Sequence, residues 1–425
     1  MDNSFYLKNG SVLWNGAFTP LDMAVEDGHI TALSRGHHNE KGLPEVDAAG
    51  LRVLPGFLDL HTHGAAGVDV NAADAEGLRT IGRFFASQGV TGWLCPVLTD
   101  TPEQTLWCME QARQVIEGGP CGGAALLGVH LEGPCLSSEY KGAMPEHLLM
   151  HTADAELFAK YQKASGGHVR YTTLAPEIPG VPGLIPRLNA MGIVCAMGHS
   201  GAGYDQCEAC VDAGVRSVTH LGNAMRLFHQ HDPAIFGVAL ERDVYVEAIC
   251  DGRHLHPGTV RLYLKAKGYD RVVAVTDSIM AAGLPDGSYK LGVNDVIVEN
   301  GDAKLPNGVR AGSTLTMAQA LRNLMAFTGE GAETVSSLAA MREATAGTPP
   351  DQLWVIGGGS IYAALLSQCA RAYVTRVDAA AEGADSFFPN LDKLPGWTVR
   401  AVSEPVTENG LTYRFYDYVN TKLCD

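Results

Sequence analysis

Residues 54–69 read LPGFLDLHTHGAAGVD, an apolar run that stops on two histidines. Side chains alternate in direction along an extended strand, so His61 and His63 project the same way and can grip one cation. An HxH alone is weak evidence of a metal site. It gains weight because the run is the first of eight. After it come GWLCPVLT at 92–99, ALLGVHLEG at 125–133, YTTLAPE at 171–177, IVCAMGHS at 193–200, SVTHLG at 217–222, YVEAICDG at 245–252 and VVAVTDS at 272–278. Helix-length segments lie between them, such as Thr101–Glu117, opened by Asp100-Thr-Pro, and Pro257–Lys267. Eight βα units predict an α/β fold, a (β/α)8 barrel. Nearly every run is apolar until its last positions, which carry His61/His63, Glu132, His199, His220, Asp251 or Asp277. In such a barrel these positions share the C-terminal rim, where chemistry is placed. One ionisable rim residue is ordinarily a loop hydrogen-bonding group. Several on successive strands are costly unless something compensates them, and a shared metal ion compensates several at once.

The flanks have a different texture. Residues 1–53 hold short alternating runs punctuated by Asn-Gly and Asp-Gly pairs, the signature of a small β-structure. Tyr289–Leu291 and Val296–Glu299 read as strands returning to it, followed by a helix-like Ser313–Phe327. The expected domains are therefore 1–54 with 285–312 as a small β-domain, 55–330 as the barrel, and 331–425 as a separate C-terminal fragment. The net charge of -16 over 425 residues would repel a phosphate backbone and argues against nucleic-acid binding. Ten scattered cysteines read as reduced thiols. No apolar run approaches the roughly 20 residues of a membrane helix, and the N-terminus lacks a basic region followed by an apolar core. The expectation is a cytoplasmic protein that does not engage membranes.

The rim motifs are specific enough to carry a resemblance. GFLDLHTHG at 56–64, GVHLEGPCLS at 128–137, MGHSGA at 197–202, THLGNAM at 219–225, CDGRHLHP at 250–257 and VTDSIMAAG at 275–283 together resemble the N-acetylglucosamine-6-phosphate deacetylases of the amidohydrolase superfamily, over residues 4 to 330 or so. The resemblance implies hydrolysis of the N-acetyl group of an amino sugar, foremost N-acetylglucosamine 6-phosphate, with another N-acetyl hexosamine as the alternative. It implies Glu132, His199 and His220 as ligands of a divalent metal, Zn²⁺ or Fe²⁺. Some members keep a first-strand HxH for a second ion, so His61 and His63 leave the count at one or two. Asp277 matches the catalytic acid/base, His254 the substrate-orienting histidine, and Asn223 and Ala224 the loop that meets the sugar phosphate. A homodimer is implied as well.

Two departures stand out. The family carries HR(D/E)PG after the NAM motif, whereas this chain has His231 where that phosphate-binding arginine is expected; Arg226, close by, is the candidate substitute. The family also has His or Gln after its KGA or AGA triplet, where this chain has Met144, whose thioether cannot donate a hydrogen bond.

The C-terminal segment has another ancestry. DQLWVIGGGSIYAALL at 351–366, ARAYVTRVDA at 370–379, DSFFPNLD at 385–392 and TYRFYDYVN at 412–420 resemble the second half of dihydrofolate reductase. A strand, a glycine turn and a helix start let backbone N–H groups meet a dinucleotide phosphate. Gly357, Gly358, Gly359, Ser360 and Tyr362 would be the NADPH contacts, with Thr375 a further match. The reductase's first half, with its pterin-binding acid, is not visible in residues 1 to 330. The reading is a fusion of two partial genes, in which NADPH binding is a remnant at most. Reduction of dihydrofolate and a partner-binding appendage are the alternatives. Segments Ala370–Ala379, Thr398–Val402 and Thr412–Val419 are expected to pair among themselves.

Overall fold

The computed structural model describes residues 4–119, 122–329, 364–379, 388–408 and 410–423, with Arg342, Thr345, Ala346, Leu353 and Tyr362 singly. The chain divides into two compact units, Met1–Ala332 and Glu333–Asp425.

In the first unit all eight expected runs are parallel strands of one sheet: β1 (Phe57–Asp59), β2 (Val90–Leu98), β3 (Ala125–Glu132), β4 (Val169–Leu174), β5 (Val194–Met197), β6 (Ser217–Val218), β7 (Tyr245–Ile249) and β8 (Val272–Val275). They neighbour one another in sequence order. The ring closes just past the ends of β8 and β1, where the Asp277 N–H donates to the His61 carbonyl at 2.8 Å and the His63 N–H to the Ser278 carbonyl at 2.6 Å. The seam of the barrel is thus built from the residues expected to do chemistry.

The intervening helices begin and pack as their sequences dictate. Thr101 caps Pro102–Glu117 by accepting the Gln104 N–H, with Pro102 in the first turn, where its missing donor costs nothing. Helix Ala75–Ser87 buries Leu78, Ile81 and Phe85 at i, i+3 and i+7. Phe85 meets Trp93 of β2 edge-on, with ring centroids 5.3 Å apart. Each such buried side chain contributes about 1.5–3 kcal/mol.

The N-terminal sheet comprises Phe5–Trp14, Ala17–Glu26 and His29–Ser34, with short strands Glu45–Asp47 and Arg52–Val53 beside the first. Its two hairpins turn at Asn15-Gly16 and Asp27-Gly28, all four residues at positive φ as a type I′ turn requires. Strands Gly287–Leu291, Asn294–Glu299 and Asp302–Lys304 form a three-stranded sheet of their own, and among the described residues they do not pair with the N-terminal sheet to which the sequence pattern assigned them. The reason is burial. Their apolar face, Leu291, Val296, Val298 and Ala303, joins Leu98, Leu136, Met144, Ile279 and Ala311 of the barrel rim in one cluster. The expected helix follows as Met317–Thr328, capped by Thr316.

In the second unit Arg371–Val377, Trp397–Val402 and Val406–Glu408 all pair antiparallel with a central Leu411–Asn420, so the tail strands do pair among themselves. Leu366, Leu391 and Tyr418 form a small buried cluster behind them.

Candidate metal centre and active site

Strand periodicity brings six residues to one point. Glu132 is the last residue of β3, while His199, His220 and Asp277 each follow the end of their strand by two positions. These last three have φ of +47°, +30° and +48°, a region that costs non-glycine residues about 1–3 kcal/mol and is tolerated where function fixes the geometry. The Glu132 carboxylate touches four imidazoles. Its Oε1 lies 3.3, 3.1 and 3.3 Å from Nε2 of His61, His199 and His220, and its Oε2 lies 3.2 Å from His63 Nε2. The nitrogens also approach each other in pairs, His61 to His63 at 3.2 Å and His199 to His220 at 3.1 Å.

Those spacings match a divalent ion. Two nitrogens bound at about 2.0–2.1 Å to one tetrahedral ion sit roughly 3.3 Å apart. Among the described residues two such groups exist, His61–His63–Glu132 and Glu132–His199–His220, sharing one carboxylate. Imidazole and carboxylate donors suit borderline ions of the zinc and iron type. Asp277 belongs to neither group, but its Oδ1 lies 3.1 Å from His63 Nε2 and 3.6 Å from His61 Nε2.

Beneath this layer lie polar residues that the sequence reading passed over. His61 Nδ1 is 3.0 Å from Glu247 Oε2, and Glu247 Oε1 accepts the Tyr171 hydroxyl at 2.8 Å. The rings of His130 and Tyr171 are 4.6 Å apart, and His130 Nε2 is 2.9 Å from Thr173 Oγ1. Asp59 accepts the Thr276 hydroxyl at 2.7 Å across the seam. A signal for the carboxylate and the histidine did exist: each is a charged or ionisable residue two or four positions before a rim residue, hence on the same strand face.

Burial opposes charge on His61 and His63, but the carboxylates of Glu132, Glu247 and Asp277 outweigh it, holding His61 well above its ordinary 6.5 and His63 at about 9. Burial likewise pushes Asp277 up, and the hydrogen bond from His63 with the nearby imidazoles brings it down to about 2. His130 goes the other way: burial and the His61 charge lower it to about 3. The linkage has a definite sign. In the metal-free chain the raised His63 contributes stability that is fully present below 6.5 and lost as pH rises toward about 9. Metal binding needs unprotonated imidazoles, so affinity rises over that same window. Melting the chelator-treated chain from pH 6 to 9.5 should show stability falling, and divalent-ion titrations over that range should show binding tightening.

A cavity of about 230 Å³ opens above the centre, lined by His63, Glu132, His199, His220 and Asp277 together with Met144, Asn223, Ala224, His254 and Arg310. His254 is fixed by Asp251, with Nδ1 2.7 Å from Oδ2 and its backbone N–H donating to Oδ1 at 2.7 Å. Met144, 3% exposed, is shared between the cavity wall and the rim cluster. Two expected substrate residues lie elsewhere. Arg226 is paired with Asp232 at 3.0 Å, and His231 is exposed and lines a different cavity with Tyr204 and Glu241. Gly312 closes the wall at φ +61°, where a Cβ would stand 2.6 Å from Ile279 Cγ2 and 2.8 Å from the Asp277 carbonyl. Gly312→Ala is therefore expected to destabilise the chain by about 1–3 kcal/mol, measurable by denaturant unfolding.

With this geometry in view, the chain can be set beside known proteins. It is 35% identical over 323 residues to the N-acetylglucosamine-6-phosphate deacetylase of Lysinibacillus sphaericus, covering 74% of this chain and 81% of that one. The chain belongs to the N-acetylglucosamine-6-phosphate deacetylase family. An N-acetylgalactosamine-6-phosphate deacetylase of Escherichia coli O157:H7 is 34% identical over 72% of this chain and 80% of its own length. In three dimensions, the Mycobacterium smegmatis N-acetyl-D-glucosamine-6-phosphate deacetylase, solved in complex with N-acetyl-D-glucosamine-6-phosphate, is similar with a TM-score of 0.71 and 32% identity, covering 77% of this chain and 84% of that one.

The deacetylase unit does not extend to the C-terminus. Residues 320–420 match the family model of dihydrofolate reductase, so the chain joins a member of the deacetylase family to a fragment similar to that reductase. Of the expected cofactor residues, Gly357, Gly358, Gly359 and Ser360 lie outside the described residues. Tyr362 packs edge-on against Phe388 with ring centroids 5.1 Å apart, and Thr375 lies on the exposed face of Arg371–Val377. Among the described residues no helix is long and apolar enough to cross a membrane.

Proposed function

We propose that this chain hydrolyses the N-acetyl group of N-acetylglucosamine 6-phosphate, releasing glucosamine 6-phosphate and acetate. The observation that carries the reading is one cavity that joins the two histidine–carboxylate groups, Asp277 and His254. Glu132, His199 and His220 would hold a catalytic Zn²⁺ or Fe²⁺, and His61 and His63, with Glu132, would hold a second ion. A divalent ion bound there would supply Lewis acidity toward the amide carbonyl and a water of lowered pKa. The chain's own groups handle binding and proton traffic. Asp277, ionised at neutral pH, takes the proton of the attacking water and delivers it to the nitrogen of the departing amine, which leaves poorly unprotonated. His254, held by Asp251, orients the sugar, and Asn223 and Ala224 face its phosphate end. Met144 offers apolar wall rather than a hydrogen bond. Arg310 lines this cavity and is a cation within it, while Arg226 is paired with Asp232 and His231 lines the neighbouring hollow with Tyr204.

The working form is a cytoplasmic homodimer. NADPH binding by the C-terminal fragment is a remnant at most, the match to dihydrofolate reductase being confined to residues 320–420. Metal analysis with acetate release is the direct test, using N-acetylglucosamine 6-phosphate, its galacto epimer and the unphosphorylated sugars. The 6-phosphates should turn over faster than the free sugars, with no dihydrofolate-dependent NADPH oxidation. A folded, metal-loaded chain inactive on every one of these sugars would overturn the reading.

A further inference from the structure

Glu247 is a carboxylate in the middle of β7, 1% exposed, in a barrel interior where an uncompensated charge costs several kcal/mol. Three donors compensate it. His61 Nδ1 lies 3.0 Å from Oε2, the backbone N–H of His220 donates to the same oxygen at 3.1 Å, and the Tyr171 hydroxyl donates to Oε1 at 2.8 Å. Two of these belong to the metal-ligating residues, one from each group, but they are held in different ways. For His220 the contact is to the backbone and steadies the turn at φ +30°, while its own Nδ1 has no partner. For His61 the contact is to the ring itself.

That difference sorts the four imidazoles. His63 Nδ1 also has no partner, and His199 Nδ1 faces the Tyr140 carbonyl at 2.9 Å. Of these four imidazoles, only His61 has its Nδ1 on a carboxylate among the described residues. A carboxylate there accepts the hydrogen bond of the Nδ1–H, which leaves the Nε2 lone pair facing Glu132 and His63 and makes the ring a stronger donor. We infer that Glu247 is a positioning residue that sets the metal affinity of the His61–His63–Glu132 group and leaves that of the Glu132–His199–His220 group alone. The inference rests on reading both groups as metal sites. It means that the first-strand pair is maintained for an ion of its own, because a fully buried charge is committed to one of its ligands.

The test reads bound metal, not turnover. The full chain is stripped with chelator, loaded with Zn²⁺, dialysed and analysed for metal per chain, with affinities from competition against a chromophoric chelator. Wild type should hold two ions. Glu247→Gln keeps the volume and an acceptor for His61 while removing the charge; it should weaken one ion about 10–100-fold and leave the other within about twofold. His61→Asn should lose the same ion, and the double variant no more than His61→Asn alone. Should the glutamine variant fail to fold, Glu247→Asp keeps the charge but retracts it from both His61 Nδ1 and the His220 N–H, and should weaken the His61 ion more than the other. Wild type holding one ion, or a Glu247 variant weakening both ions equally or neither, would overturn the inference. Acetate release, scored separately, decides the catalytic reading whichever way the metal result falls.

Discussion

Replacing Asp277 by asparagine is expected to lower kcat for acetate release by about 10²–10⁴-fold, the usual contribution of a positioned acid or base. The side chain keeps its shape, and Asp277 belongs to neither histidine–carboxylate group, so metal content should stay at the wild-type level. What disappears is the site that accepts the water proton and returns it to the amine. Because the proton moves only in the transition state, kcat and kcat/KM should fall together with KM nearly unchanged. In the metal-free chain the substitution also removes the anion 3.1 Å from His63 Nε2, so the raised His63 pKa should drop toward its ordinary value. A loss below tenfold with metal retained would mean that another group carries the proton.

A larger effect is expected at Glu132. Its carboxylate is within 3.3 Å of all four imidazoles and belongs to both candidate groups. Glutamine would offer one neutral oxygen where two charged ones stood. Glu132→Gln should lose both ions on dialysis and lower kcat by more than about 10³-fold, since metal activation is worth several kcal/mol. The metal-free variant should also be less stable than metal-free wild type by about 3–5 kcal/mol, because the buried imidazoles lose their counter-charge. Retention of either ion at wild-type affinity would show that the carboxylate is not shared. Wild type itself should gain about 4 kcal/mol of stability for each ion bound at a concentration 1,000 times its Kd, and the variant none.

The tail sheet has an open side. Along Arg371–Val377, Ala372, Val374 and Arg376 turn toward the small cluster around Tyr418, while Tyr373 and Val377 stand 56% and 46% exposed. Val406–Glu408 pairs with Leu411–Asn420 across a short turn, whereas Arg371–Val377 reaches the same strand from far along the chain, so its register is set by the alternation of the apolar residues it turns inward.

The amino-acid sequence alone determined the barrel and most of its rim. A period of two within each run puts His61 with His63, and ends β3 on Glu132, whatever the rest of the molecule does. The eight runs and the hairpins at Asn15-Gly16 and Asp27-Gly28 are local patterns of the same kind. Tertiary structure decided what lies far apart in the chain and close in space. His61 and Glu247 are separated by 186 positions, and nothing in the alternation of either strand says they will touch. Ring closure and stagger set that contact. The sheet of residues 287–304 kept its strand pattern but found its partner face on the barrel rim, because an alternating pattern specifies an apolar face and not what will cover it. Arg226 likewise has a charge written in the sequence, but its pairing with Asp232 was set by a neighbour that only folding supplied.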